Sequence, residues 1–302
     1  TAAENWNLRD PAQLLATGFG VGLLPKAPGT WGSLFALPTA WGIVATAGQP
    51  GLALAAAGVR DIGIVVGDTH EEIRAAVGNG SRWDVTVTYI KQDAPRGLAH
   101  AVLISESFIG REPFVMYLGD NLLKTGITPF VEEFIRTRPA AQILLTRVPD
   151  PQMFGVAELA DGQVVRLVEK PKEPKSDLAL VGVYMFGPEV LESVKRITPS
   201  SRNELEITDA IQDLIDRGCV VRPHLVDGWW KDTGKLDDML EANRLVLETF
   251  DRRIDGTVDA DSRVEGNVVV EAGAEIVGSV IRGPAIIGAN AKIEHAYVGP
   301  FT

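Results

Sequence analysis

Two aspartates are placed where a carboxylate can do chemistry. Asp120 directly follows the apolar run 114–118, and the preceding Gly119 has no side chain to obstruct a ligand. Asp232 lies in the segment 228–234, which reads Gly-Trp-Trp-Lys-Asp-Thr-Gly. Mg²⁺ prefers one or two carboxylates together with phosphate oxygens. The two aspartates are therefore predicted to hold one divalent ion against a triphosphate.

Both aspartates also have a purely structural interpretation. Asp120 can cap the turn that follows its strand. Asp232 can belong to a loop anchored by Trp229 and Trp230, with Lys231 as an incidental ion-pair partner. Taken one at a time, these residues do not decide between a metal site and a turn.

Residues 92–99 form a loop with binding chemistry of another kind. Gln92 offers a side-chain amide, while Gly97 and Leu98 offer a backbone edge just before a helix that begins near His100. Such groups can pair with a nucleobase without any acid–base chemistry. A simple Pro-Gly turn explains the same residues.

The charged segment 169–176 follows a predicted strand. The Glu169 carboxylate could accept hydrogen bonds from sugar hydroxyls, and the Lys170 ammonium could face a phosphate. The alternative is a run of solvated surface charges, which is the more common situation for any one lysine.

The framework that positions these residues is predicted to alternate strands and helices. Apolar or alternating runs predict the strands, and apolar residues on one helical face predict the helices. This order favours the α/β class, with an open, mostly parallel sheet covered by helices on both faces. Ligands then bind beyond the carboxyl ends of the strands. The predicted strands are 62–66, 85–89, 114–118, 143–147, 164–168 and 180–186, and the predicted helices are 68–77, 207–215 and 237–250.

The last part of the chain has a repeat of its own. Apolar residues recur at every sixth position, first at Val258, Val264, Val270 and Ile276, and after a slip of one residue at Ile281, Ile287 and Ile293. This hexad spacing predicts a β-helix, whose short strands stack their apolar side chains inward. An ordinary β-meander is the alternative.

Composition limits the classes of function. The 302 residues carry a net charge of −11, which argues against nucleic acid or anionic lipid as the main partner. The single cysteine, Cys219, excludes a disulfide within the chain and a multi-cysteine metal site, and makes the cytoplasm the expected compartment. Cys219 is not predicted to be a catalyst.

Five separated motifs and the hexad repeat together resemble the sugar-1-phosphate nucleotidylyltransferases. Within that family the pattern is similar to the long form of glucose-1-phosphate thymidylyltransferase, which ends in a left-handed β-helix. The resemblance covers about residues 53–302. The motifs are Gln92 with Gly97-Leu98-Ala99, Leu118-Gly119-Asp120-Asn121, Glu169-Lys170-Pro171, Gly182-Val183-Tyr184 and Trp230-Lys231-Asp232-Thr233-Gly234.

The resemblance implies a reaction and a site. The reaction is nucleotidyl transfer from dTTP to glucose 1-phosphate, with Mg²⁺ as the cofactor. Asp120 and Asp232 would bind the metal and would be catalytic together with Lys170. The implied substrate-binding residues are Gln92, Gly97 and Leu98 toward the base, Gly155, Glu169 and Lys170 toward the sugar and its phosphate, and Asn121 and Trp230.

The N-terminal segment departs from that family. The family opens with a strand and a Gly-Gly-x-Gly-Thr-Arg-Leu loop that wraps the triphosphate, and neither is recognisable here. Residues 5–47 instead resemble the start of phosphatidylglycerophosphatase A. The predicted domains are therefore a foreign apolar segment, a nucleotidyltransferase domain without its first strand and Gly-rich loop, and a truncated left-handed β-helix, at residues 1–52, 53–250 and 251–302.

Three functions follow as expectations. The first is thymidylyl transfer, impaired by the missing loop. The second is a sugar-nucleotide-binding or assembly module without catalysis, for which a homo-oligomer is plausible. The third is a membrane lipid phosphatase, which rests on residues 5–47 alone. Contact with a membrane through residues 14–47 also stays open, since the stretch 31–47 is largely apolar but contains Pro38.

Overall fold

The computed structural model describes residue 54 and residues 57–68, 70–234 and 236–302. The predicted N-terminal domain, 1–52, lies outside the described residues, and so does its apolar stretch 31–47. Within the ranges that are described, no helix combines the length and apolarity needed to cross a bilayer.

The described residues fall into two compact units, one ending at Asp232 and the other beginning at Thr233. All six predicted strands are present in the first unit, and its three predicted helices begin within two residues of positions 68, 100 and 207, so these elements are confirmed, while its other strands and helices were not predicted. Its strands are β1 (Asp61–Val66), β2 (Thr86–Lys91), β3 (Phe114–Tyr117), β4 (Asn121–Leu123), β5 (Ala141–Arg147), β6 (Gly155–Ala160), β7 (Gln163–Glu169), β8 (Leu178–Phe186), β9 (Val221–Leu225) and β10 (Trp230–Asp232). Its helices are α1 (His70–Val77), α2 (Leu98–Ile104), α3 (Glu106–Ile109), α4 (Thr128–Thr137), α5 (Glu189–Arg196) and α6 (Ile207–Asp216).

The main sheet of this unit is mixed. Its strands follow the order β7-β6-β8-β5-β9, and β3 also pairs with β8. Strand β8 runs antiparallel to β3, β5 and β6, while β5 and β9 are parallel. The prediction of a mostly parallel sheet is therefore wrong. One cause is the tight turn at Asp161 and Gly162, where φ is 50° and 75°, because two successive positive φ angles let a hairpin reverse the chain without a crossover helix.

Two strand pairs lie outside the main sheet. Strands β1 and β2 form a parallel pair, in which Ile62 is opposite Val87. Strands β4 and β10 form an antiparallel pair, although more than a hundred residues separate them in the chain. Asp232 is the last residue of this second pair, and Asp120 immediately precedes its other strand.

Strand β8 is the centre of the unit, and all nine of its residues are buried. On one face of the sheet, α5 and α6 contribute Val190, Ile211 and Leu214 to the core. On the other face, α4 contributes Phe130, which packs in one cluster with Ile62 of β1. Each fully buried side chain of this size stabilises the fold by about 1.5–3 kcal/mol. The predicted helical layers on both faces are confirmed.

The second unit contains α7 (Leu236–Leu247) and a β-helix. Its strands are β11 (Arg253–Ile254), β12 (Thr257–Val258), β13 (Arg263–Glu265), β14 (Val268–Val270), β15 (Glu275–Val277), β16 (Val280–Arg282), β17 (Ala285–Ile287), β18 (Lys292–Glu294) and β19 (Tyr297–Val298). They form three parallel sheets, β11-β14-β17, β12-β15-β18 and β13-β16-β19. Along the third sheet, Arg263 pairs with Val280 and Val280 pairs with Tyr297.

The hexad residues form the interior of this β-helix. All seven belong to one apolar cluster, in which Val270, Ile276 and Ile281 are almost fully buried. One corner is held by polar contacts, since the Asp259 carboxylate accepts hydrogen bonds from the Gly278 backbone N–H at 3.1 Å and from the Ser262 hydroxyl. These bonds, the one from Ser262 first, lower the pKa of Asp259. The predicted β-helix is confirmed.

The helix α7 belongs with the β-helix in the division of the described residues, because the second unit begins at Thr233. The domain boundaries drawn from the sequence, 1–52, 53–250 and 251–302, stay predictions. The arrangement of the two units does not enter the site, because Asp120 and Asp232 both belong to the first unit.

Candidate active site

The β4–β10 pair brings the two aspartates together. Asp232 lies opposite Asn121 in this pair, and Asp120 immediately precedes Asn121. The turn before Asp120 is fixed on the main sheet, since the Leu118 backbone N–H donates to the Gly182 carbonyl at 2.8 Å. A Cβ atom at Gly119 would meet nothing within 4 Å, so the approach to Asp120 on that side is open.

Asn121 makes three side-chain hydrogen bonds in this region and is 2% exposed. Its Oδ1 accepts hydrogen bonds from the Gly182 backbone N–H at 2.9 Å and from Trp230 Nε1 at 2.6 Å. Its Nδ2 donates to Asp120 Oδ1 at 2.8 Å. Gly182 must lack a side chain, because a Cβ atom there would lie 2.6 Å from Asn121 Nδ2.

The donor set around Asp120 fits Mg²⁺ better than a transition metal. Among the residues that the structure describes, no group of three or more His, Cys, Asp or Glu side chains could hold a metal ion by itself. Two carboxylates, Asp120 and Asp232, leave the remaining positions of an octahedral ion to water and to substrate oxygens, which is the usual manner of Mg²⁺ binding. The residues present therefore fit a metal that arrives with a phosphate ligand.

Residues 92–99, called the base loop here because the sequence predicts that they contact a base, are held by side-chain and backbone contacts. The Gln92 side chain follows β2, and its Nε2 lies 2.9 Å from His100 Nδ1 and 3.5 Å from the Gly97 carbonyl oxygen. Gly97 has a φ of 95°, and a Cβ atom there would overlap the Leu205 backbone, with the Leu205 N at 2.8 Å. Leu98 then begins α2 and packs against the main core.

The loop that contains Leu205 joins the base loop to Glu169. The Leu205 N–H donates to the Arg96 carbonyl at 2.8 Å, and three residues earlier Arg202 makes an ion pair with Glu169 at 3.4 Å. Arg202 also pairs with Glu204 at 3.0 Å and with Glu206 at 3.6 Å. Sequence reasoning missed Arg202, since a single arginine in the segment 199–206 carries no recognisable pattern.

Glu169 is a half-buried carboxylate that lies opposite Gly155, a position with no room for a side chain. It pairs with Gly155 across β6 and β7, and a Cβ atom at Gly155 would lie 3.1 Å from Glu169 Oε2 and 2.7 Å from Thr208 Cγ2. The Thr208 hydroxyl, which is also missed by sequence reasoning, donates to Glu169 at 3.3 Å. Burial is the largest cause that raises the pKa of Glu169, and the nearby charge of Glu206 adds to it.

Lys170 lies at a backbone position that is unusual for lysine. Its φ is 42°, its side chain is exposed, and its N–H donates to the Phe154 carbonyl at 3.0 Å. A left-handed conformation costs a non-glycine residue about 1–2 kcal/mol, and such strain concentrates at functional sites. The same Phe154 contacts Trp230, with ring centroids 5.4 Å apart.

Tyr184, in β8, has a buried side chain. Burial raises the pKa of Tyr184, and the charges of Glu169 and Asp120 raise it further. The tyrosine belongs to a motif quoted from the sequence, but nothing in the sequence assigned it this place.

A continuous series of contacts thus connects all the predicted site residues. It runs from the base loop to Glu169 and Gly155, and then from Phe154 to Trp230 in the β4–β10 pair. Every candidate named from the sequence lies on it or next to it in the chain: Gln92, Gly97, Leu98, Asp120, Asn121, Gly155, Glu169, Lys170, Trp230 and Asp232.

Comparison with known proteins identifies the family. The family model described as nucleotidyl transferase matches residues 48–249. A glucose-1-phosphate thymidylyltransferase of Streptomyces griseus is 58% identical over 251 residues, which is 83% of this chain and 71% of that relative. The chain belongs to the nucleotidyl transferase family. A second nucleotidyl transferase, the glucose-1-phosphate thymidylyltransferase of Streptomyces antibioticus, is 55% identical over 267 residues, covering 86% of this chain and 75% of the relative.

Solved nucleotidyl transferase structures show the same fold. A Bacillus anthracis structure described as a glucose-1-phosphate thymidylyltransferase, in complex with a sucrose, is 37% identical with a TM-score of 0.62, covering 66% of this chain and 80% of that one. A UDP-glucose pyrophosphorylase complexed with UDP-glucose, at 23% identity and a TM-score of 0.57, shares the fold and covers 64% of this chain and 83% of that one.

A second family model, phosphatidylglycerophosphatase A, matches residues 14–75. The resemblance noted from the sequence ended at residue 47, so this match runs further into the chain. It overlaps the nucleotidyl transferase match from residue 48 onward. In the structure, the C-terminal part of the overlap contains β1 and most of α1, which belong to the first unit.

Proposed function

We propose that this nucleotidyl transferase moves a thymidylyl group from dTTP to glucose 1-phosphate, which gives dTDP-glucose and pyrophosphate. The observation that carries the proposal is the pairing of Asp232 with Asn121, the residue after Asp120. This pairing offers two carboxylates for one Mg²⁺. The glucose-1-phosphate thymidylyltransferases at 58% and 55% identity support the choice of substrates.

The proposed reaction is a single in-line displacement. A phosphate oxygen of glucose 1-phosphate forms a bond to the α-phosphorus of dTTP, the bond from that phosphorus to the bridging oxygen breaks, and pyrophosphate leaves with its electron pair. No side chain becomes covalently attached, since positioning and charge neutralisation provide the catalysis. Mg²⁺, held by Asp120 and Asp232, would offset the negative charge of the phosphates.

The remaining side chains position the substrates. Gln92, Gly97 and Leu98 are proposed to hold the thymine. Glu169 is proposed to accept hydrogen bonds from the glucose hydroxyls, in the space that Gly155 leaves, while Lys170 faces the phosphate. Asn121 and Trp230 complete the predicted substrate site.

The second candidate function is binding without turnover. It is favoured by the printed sequence, in which residues 1–52 contain no Gly-Gly-x-Gly-Thr-Arg-Leu motif to wrap the triphosphate. Under this proposal the chain binds dTDP-glucose through the described residues and reacts slowly or not at all. A cytoplasmic location, supported by the single cysteine, and a homo-oligomer, supported by the β-helix, belong to either candidate.

Two measurements separate the candidates. Pyrophosphate release is measured with dTTP, glucose 1-phosphate and Mg²⁺, and binding of dTDP-glucose is measured by calorimetry. Turnover above the rate without protein, together with binding, is the expected result. Binding without turnover would favour the second candidate, and the absence of both would contradict the assignment.

The half-buried Glu169 leads to a prediction with opposite effects on binding and stability. Replacing it as Glu169→Gln is expected to raise the KM for glucose 1-phosphate, or the Kd of dTDP-glucose, about 10- to 100-fold. The reason is that hydrogen bonds to a charged acceptor contribute about 1.5–3 kcal/mol. Glu158→Gln, on the adjacent strand, is the matched control, and an unchanged constant for Glu169→Gln would contradict the role.

Stability should change in the other direction. Because folding raises the pKa of Glu169, the folded protein holds this proton more tightly than the unfolded chain, and the free energy of unfolding falls as pH rises through the interval between the two pKa values. Glu169→Gln removes the free-energy cost of burying a charged carboxylate at this position. The variant should therefore unfold at a higher temperature than the parent at pH 8, and the difference should shrink toward pH 4, where the parent carboxyl is protonated.

A further inference from the structure

The orientation of the Asn121 amide is determined by its neighbours. Both groups facing one end of the amide, the Gly182 backbone N–H and Trp230 Nε1, are donors, so the oxygen must lie there. The nitrogen then faces Asp120 Oδ1 at 2.8 Å and donates to it. A buried amide held in this way cannot rotate without leaving two donors unsatisfied, which would cost about 1–3 kcal/mol for each.

These contacts reach both aspartates of the proposed metal site. Through Nδ2, Asn121 holds one carboxylate oxygen of Asp120. Through Oδ1, it holds Trp230, the first residue of β10, while its backbone pairs with Asp232, the last residue of the same strand. One residue therefore links the Asp120 carboxylate to the strand that carries Asp232, although the two come from distant parts of the sequence.

Resting on the proposed function, we propose that Asn121 is a positioning residue: its amide fixes the Asp120 carboxylate and, through Trp230, the strand that carries Asp232. The polar atoms of the amide are used inside the protein. Asn121 therefore acts on the metal site through Asp120 and Trp230, in addition to its predicted place in the substrate site.

Trp230→Phe removes the hydrogen bond from Trp230 Nε1 to Asn121 Oδ1 and leaves the other contacts of the site in place. It removes the Nε1 donor and keeps an aromatic ring beside Phe154. The matched control is Trp229→Phe, at the adjacent tryptophan, whose backbone carbonyl accepts from the Lys124 N–H at 3.2 Å and is unchanged by the substitution. A second variant, Asn121→Ala, removes the whole connection.

The measurement is Mn²⁺ binding, followed by water-proton relaxation in the presence of saturating dTDP-glucose, so that the readout does not depend on turnover. We expect Trp230→Phe to weaken Mn²⁺ binding about three- to tenfold and Asn121→Ala to weaken it more than tenfold, with Trp229→Phe unchanged. Adding Trp230→Phe to Asn121→Ala should cause no further loss, because the link is already broken.

Two results would overturn the proposal. One is Mn²⁺ binding by Trp230→Phe equal to that of the Trp229→Phe control. The other is an additive loss in the double variant, which would mean that Trp230 acts independently of Asn121. Thermal unfolding of each variant checks that it is folded, and if Asn121→Ala does not fold, the comparison of the two tryptophan variants still decides. A different result would contradict the proposed function itself. In that case Asp120→Ala would bind Mn²⁺ with the same affinity as the parent protein.

Discussion

Asp120→Ala is expected to lower kcat/KM for pyrophosphate release by about 10³-fold, which corresponds to about 4 kcal/mol of lost transition-state stabilisation. The carboxylate is proposed to hold Mg²⁺ against the phosphates, and its loss leaves Asp232 as a single protein ligand. Without the ion, the repulsion between two anionic substrates is no longer offset. The measurement is the initial rate of pyrophosphate release at several Mg²⁺ concentrations.

The matched control is Asp216→Ala, at an exposed aspartate at the end of α6 whose carboxylate accepts from Gln212 at 2.8 Å. It should retain the parent rate. If the two site aspartates serve one ion, the double variant Asp120→Ala/Asp232→Ala should be no worse than the more impaired single variant. Parent-like activity of Asp120→Ala would contradict the metal site.

Gly97→Ala is expected to have the largest effect on stability together with loss of base binding. At a φ of 95° an L side chain is strained, and the added Cβ would also overlap the Leu205 backbone, whose carbonyl carbon lies 2.9 Å away. Strain of this kind costs about 1–3 kcal/mol before any overlap is counted. Because backbone atoms cannot move aside as a flexible side chain does, the base loop must detach from Leu205. Thermal unfolding and the KM for dTTP are the measurements.

Gly78→Ala separates the effect of backbone strain from the effect of overlap with the Leu205 backbone. Gly78 also has a positive φ, 69°, but a Cβ atom there would meet nothing within 4 Å. This control should lose about 1 kcal/mol of stability and keep the parent KM for dTTP. If Gly97→Ala were as stable as Gly78→Ala and bound dTTP normally, the contact with Leu205 would not be what shapes the base loop.

The local elements could be predicted from the sequence because local patterns determine them. The apolar run that became β8 is buried along its whole length, and the hexads that predicted the β-helix fill its interior. The chemistry of Asp120 and Asp232 could likewise be named from residue types and their glycine and tryptophan neighbours. In each case the informative signal is a local pattern, either a short run of residues or a spacing repeated along the chain.

Strand directions and distant contacts could not be predicted in this way. The direction of β8 depends on how the whole chain reverses, for which periodicity carries no signal. The contact between Arg202 and Glu169 joins a loop to a strand end more than thirty residues away. The place of Asn121 was also out of reach, because its two acceptor contacts come from Gly182 and Trp230, which nothing in the spacing brings together.

The parallel pair formed by β1 and β2 has a consequence for base recognition. In the part of the chain described here, this pair shares side-chain packing with α4 but no backbone ladder with the main sheet. Two-stranded pairs have little stability of their own, so this pair depends on its apolar packing against α4. Gln92 directly follows β2, so its proposed contact with the base depends on how firmly packing against α4 holds this pair of strands.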